Sequence, residues 1–208
     1  MSIALGIFDI FTYIVPGSIY SALFTYLLVR LGWLEIPPVA QVNTTLVVII
    51  GLMIAYLVGH ITYLAGRVLR HLLRARYVDF AEARTEFLRR VPTAAGRPFV
   101  TADRSVVLAG IEVNQPAPAI EIARLRAVGL MLRNCTPALL LSSFVALAEV
   151  YFSGVPVMGL SVFAFFLIAA AGSYIQSQQL THWADLKTLE VAFWIAELDD
   201  RLRQPPSA

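Results

Sequence analysis

With 208 residues, 58% of them hydrophobic and only 14% charged, the chain is far more apolar than a soluble domain, in which roughly 45–50% of residues are apolar and about 25% charged. The apolar residues gather in long runs and the mean hydropathy is +0.72, which excludes an ordinary soluble globule and points to a small polytopic membrane protein. The formal charge of +2 is unevenly spread, since 12 of the 16 basic residues lie between Arg67 and Arg133, and the lone Cys135 excludes an intrachain disulfide and a four-cysteine metal site.

Four segments are long enough to cross a hydrocarbon core of about 30 Å, which takes about 20 apolar residues per helix: 10–31, 44–66, 135–153 and 156–175. The first reads as a retained helix, because no Lys or Arg precedes it, Asp9 stands at its entrance and no small-residue cleavage site follows. Within it Tyr13, Pro16 and Tyr20 share a face with Asp9, and Pro16-Gly17 predicts a kink. The connection 32–43 contains no Lys or Arg and the turn 153–156 no charge. The positive-inside rule therefore places both connections outside and the Arg-rich segment, with both termini, in the cytoplasm of an inner-membrane protein. Trp33, Tyr151 and Phe152 fall near the outer interface.

In the second span Tyr56, His60, Tyr63 and Arg67 follow i, i+4, i+7, i+11 and form a polar stripe entering the lipid from the basic side. With Tyr13 and Tyr20 these are candidates for lining a pore or cavity; His60 either bonds a neighbouring span or serves as a pore, proton-sensing or ligand-contacting group. Gly51, Ala55 and Gly59, and likewise Ala138, Ser142 and Ala146, recur every fourth residue and predict close helix packing, within the chain or at an oligomer seam. By depth, Asp9 is expected near His60, Arg67 and Arg133, and Glu149 level with Arg30, each an intramembrane charge pair.

After the second span, apolar positions at helical spacing predict one long helix running on to about Arg90. Pro92–Pro118, with four prolines, two glycines and a β-like run at Ser105–Ala109, reads as a loop carrying a hairpin-like segment. A helix at about 118–134 leads into the third span. Gln176–Arg203 is expected as a further helix with Leu180, Trp183, Val191, Trp194, Leu198 and Leu202 near one face, followed by a tail. The chain thus divides into a hairpin (1–66), an Arg-rich segment (67–134), a second hairpin (135–175) and a C-terminal helix and tail (176–208). The C-terminal helix carries a net −2 and the Arg-rich segment 12 arginines against six acids, which favours docking of one on the other. Arg70, Arg74, Arg76, Arg124 and Arg126 are candidates for binding a partner or lipid headgroups.

No phosphate-binding loop, zinc-protease, nucleophile-elbow or Cys-x-x-Cys motif is present. The expectation is no catalytic residue, no metal, no cofactor and no nucleic acid. The fold class expected is an all-α integral membrane protein of four transmembrane helices with long cytoplasmic helical extensions. In architecture alone it is similar to small membrane subunits and effectors of prokaryotic stress and phage-defence systems, an analogy of fold that does not fix function. The expected role is a non-enzymatic, homo-oligomeric sensor, effector or channel-like subunit regulated through its cytoplasmic helices, with membrane lipids and a cytoplasmic protein as partners. The alternatives are a small transporter or membrane-enzyme accessory subunit that binds a substrate headgroup near Asp9, His60 and Arg67, and a plain scaffold.

Overall fold

Inside hydrocarbon a helix satisfies its own backbone groups, so long apolar runs free of breakers are helical by necessity. The computed structural model describes residues 3–35, 44–72, 80–152 and 156–203, and no strand occurs among them. In chain order the helices are α1 (Ile3–Arg30), α2 (Thr44–Leu72), α3 (Phe80–Arg90), α4 (Pro98–Thr101), α5 (Arg104–Asn114), α6 (Pro116–Phe152), α7 (Pro156–Phe193) and α8 (Ala196–Arg203), with a 3-10 turn at Pro92–Ala94. Four are long and apolar enough to cross a membrane: Ile10–Arg30 of α1, Thr44–Leu64 of α2, α6 and α7.

Contacts regroup the sequence into two units, Met1–Ala75 with Leu130–Ser177, and Arg76–Gly129 with Gln178–Ala208. In the first, α1 and α2 pack along each other. Large apolar side chains on α2, among them Met53, Leu57, Ile61 and Leu64, point outward. That is the inverse of a soluble protein and suits a hydrocarbon surrounding.

The second unit has an inward-facing core in which Phe87, Phe99, Val107, Ile111, Ile122 and Leu189 are fully buried. Here the structure corrects the expectation of a loop over 92–118. Pro92 and Pro98 each open a helical turn at its first position and Pro116 begins α6; the missing N–H costs nothing there and the fixed φ suits helix. The β-like run lies inside α5, whose N-cap Asp103 accepts from the Ser105 backbone N–H at 2.8 Å. Val107 and Ile111, one turn apart, enter the core together, so tertiary burial overrides the local strand preference.

Two other expectations change. No separate helix begins at 176, because α7 runs unbroken from Pro156 to Phe193 and the interruption falls at Trp194 and Ile195. Leu180, Val191 and Leu198 are buried as expected from their spacing, but Trp183 and Trp194 face outward, and Ala184, Leu186 and Leu189 take the core positions. Continuity of the second span to Arg90 falls on residues 73–79, outside those described.

Candidate functional site

The backbones of α1 and α2 approach each other closely. A Cβ added to Gly17 would stand 1.7 Å from the Ala55 carbonyl oxygen, and one on Gly59 would stand 2.0 Å from that of Tyr13. Neither position accepts a side chain without moving a helix. Ala55 itself is buried, whereas Gly51 meets open space. Only the lower two of the three small residues at this spacing make the crossing, and their counterpart is Gly17, which the sequence marks only as a kink.

This approach brings the aromatic candidates together. The Tyr13 ring stacks on His60 with centroids 3.8 Å apart and meets Tyr56 edge-on at 6.1 Å, and Tyr56 meets His60 edge-on at 4.7 Å. Edge and stacked geometries of this kind are the favoured ones for π systems. The three rings therefore join α1 to α2 in one chain. Tyr63 is half-buried, and the side chains of Asp9 and Arg67 lie outside the described residues, as do those of Arg70, Arg74 and Arg76. Tyr20 belongs to a different neighbourhood; its hydroxyl is buried with no hydrogen bond, as are those of Ser21 and Tyr174.

On α6, Ala138, Ser142 and Ala146 are all buried, and the Ser142 hydroxyl donates to the Ala138 carbonyl at 2.9 Å. A small hydroxyl that returns its hydrogen bond to its own helix leaves that face free for packing. Asn134, absent from the sequence candidates, is fully buried with both amide atoms unpaired, close to Gly66. Arg133 is half-buried beside it.

At the opposite ends of α1 and α6, Arg30 donates through Nε to Glu149 Oε1 at 2.9 Å. Tyr26 lies beside the same carboxylate. A cation in the last turn of α1 also meets the negative end of that helix favourably.

The second unit holds the main electrostatic network. Asp185, fully buried, accepts from Arg104 Nη1 at 3.1 Å and from Arg126 Nη2 at 3.1 Å, and Arg126 also donates to the Thr188 hydroxyl at 3.3 Å. Arg126 is thus partly buried and engaged within its own chain; a buried carboxylate needs neutralisation and the two arginines supply it. Arg124, two positions away, is exposed. Arg97 ties α8 to the end of α7, donating to Asp199 Oδ2 at 2.5 Å and to the Phe193 carbonyl at 2.9 Å. His182 Nε2 lies 2.6 Å from Glu86 Oε2, and Arg90 donates to the other oxygen of Glu86. The His182 hydrogen bond, reinforced by Arg90, holds the Glu86 carboxyl below the usual carboxylate range. Among the described residues no three His, Cys, Asp or Glu side chains gather as metal ligands.

No protein-family model, no curated protein and no solved structure matches the chain.

Proposed function

We propose that the chain is a non-catalytic inner-membrane sensor or effector subunit whose second unit is a cytoplasmic helical module that receives a protein partner and relays its state to the spans. The observation that carries this reading is the length of α6 and α7, 37 and 38 unbroken residues that each contribute to both units. At 1.5 Å per residue such helices are about 55 Å long, against about 30 Å of hydrocarbon, so a large part of each stands outside the bilayer. The outward Trp183 and Trp194 offer aromatic anchors of the kind that partner surfaces use.

A conducting path along Tyr56 and His60 has less support, since both rings close against Tyr13 of the same hairpin. The relay needs no pore and is compatible with self-association.

Labelling of single cysteines by a membrane-impermeant maleimide, with Cys135→Ala as background, tests the orientation. Glu112→Cys on the exposed face of α5 is expected to react only after lysis, and Trp33→Cys to react in intact cells. Reaction of Glu112→Cys in intact cells would overturn the cytoplasmic assignment.

A further inference from the structure

Between α1, α6 and α7 lies a half-open cavity of about 630 Å³, within the roughly 300–1,000 Å³ of small-molecule sites. Its walls are apolar, with Ile19, Leu23, Val145, Val162 and Phe166 prominent, and its polar end is formed by Glu149 and Tyr26. Arg30 bonds Glu149 at that end. From the geometry we infer that this is a binding site for one glycerophospholipid with a zwitterionic phosphoethanolamine headgroup; the inference rests on the membrane-spanning part of the function proposed above.

Depth comes first. Arg30 ends α1, and Glu149 lies in the last turn of α6, so the ion pair sits where the helices leave the hydrocarbon. From there to Ile19 the helix rises about 16 Å, close to one leaflet's share of a 30 Å core. The cavity therefore has the depth of a single acyl chain standing below a headgroup. Water is not available at that depth to fill apolar space, whereas lipid chains are.

Charge selects the headgroup. Arg30 uses Nε and Nη2 on Glu149. Its side chain is 47% exposed and that of Glu149 21%. A partly exposed guanidinium takes a phosphate oxygen, and the carboxylate beside it takes a primary ammonium. The mouth offers both signs side by side, the complement of a zwitterion. An anionic headgroup lacking the amine gains less, because Glu149 already offsets the Arg30 charge and the pair offers it no net attraction.

Native mass spectrometry of the delipidated full chain in detergent, titrated with dioleoyl phosphatidylethanolamine, dioleoyl phosphatidylglycerol or dioleoylglycerol, tests the site. The ethanolamine lipid is expected to bind about tenfold tighter than dioleoylglycerol, the ratio for one charge-assisted contact of about 1.4 kcal/mol, and several-fold tighter than the glycerol lipid. Arg30→Gln should remove the first preference and Glu149→Gln the second. Ala22→Trp, which fills the cavity from an exposed position on its wall, should weaken both phospholipids while the folded mass and helicity persist. Equal binding of all three lipids, an equal or stronger preference for the glycerol lipid, unchanged binding in Ala22→Trp, or a dimer that excludes lipid from the cavity would overturn the inference. Release of the protein from membranes by alkaline carbonate would overturn the spanning reading itself, a failure separable from loss of lipid preference in a protein that stays inserted.

Discussion

Asp185 shows how a single buried carboxylate can organise a module. Arg104 reaches it from α5 and Arg126 from α6, so one charge on α7 is shared by two helices. Removing it leaves two partly exposed guanidinium groups without their shared acceptor, and Asp185→Ala is expected to cost about 1–3 kcal/mol. Urea titration of the detergent-solubilised protein by circular dichroism would measure it. The double variant Asp185→Ala/Arg126→Met should recover part of that loss, because the unpaired charge leaves with its partner; an equal loss in both would count against the pairing. Glu86 responds to acid. Its carboxyl titrates lower in the fold than when free because His182 and Arg90 favour the charged form. The stabilisation is therefore fully present above the free carboxylate value of about 4.3 and disappears as pH falls through the lower folded value. The melting-temperature difference between wild type and Glu86→Gln is expected to be largest above the free carboxylate value and to shrink as pH falls through the lower folded value; a difference independent of pH would refute this.

Among the elements, the α1–α2 hairpin is held by shape more than by polarity. Its two backbones touch at Gly17 and Gly59, with the Tyr13, Tyr56 and His60 rings closing the crossing. Gly17→Ala and Gly59→Ala must push the helices apart, and each is expected to destabilise the hairpin by about 1–3 kcal/mol or more. Gly51→Ala, with nothing within 4 Å, should leave the melting temperature of the monomeric fold unchanged. A Gly51→Ala protein that loses self-association while keeping its fold would place the upper face of α2 at a contact between copies. The 92–118 segment carries a different lesson. Its prolines look like breakers in sequence, yet three of them stand at helix or turn starts. What separates a breaker from a starter is the position of the residue relative to the helix, which α5 fixes through the Asp103 cap and the burial of Val107 and Ile111.

On the scale of the whole molecule, the units cut across the order of the chain. Residues 76–129 fold with 178–208, and 1–75 with 130–177. The excess of acid in the C-terminal helices and of arginine before the third span is visible in sequence, and within the second unit it resolves into definite pairs: Asp185 with Arg104 and Arg126, Asp199 with Arg97, Glu190 with Arg90. Charge sign can be read from composition, but partner choice depends on helix rotation and on which faces meet across about 60–100 residues of chain.

Sequence alone determined that this chain is helical and that four of its helices are long and apolar enough to span a membrane. A span satisfies its backbone internally, so length and composition suffice to mark it, with no knowledge of neighbours. Tertiary structure decided that Gly17 and Gly59 are contact points while Gly51 is not, that Arg126 pairs with Asp185, that Asn134 is buried, and that a cavity opens beside Glu149. Each of these depends on the distance between two helix surfaces, a quantity set by every side chain at the contact together and carried by no single position in the chain.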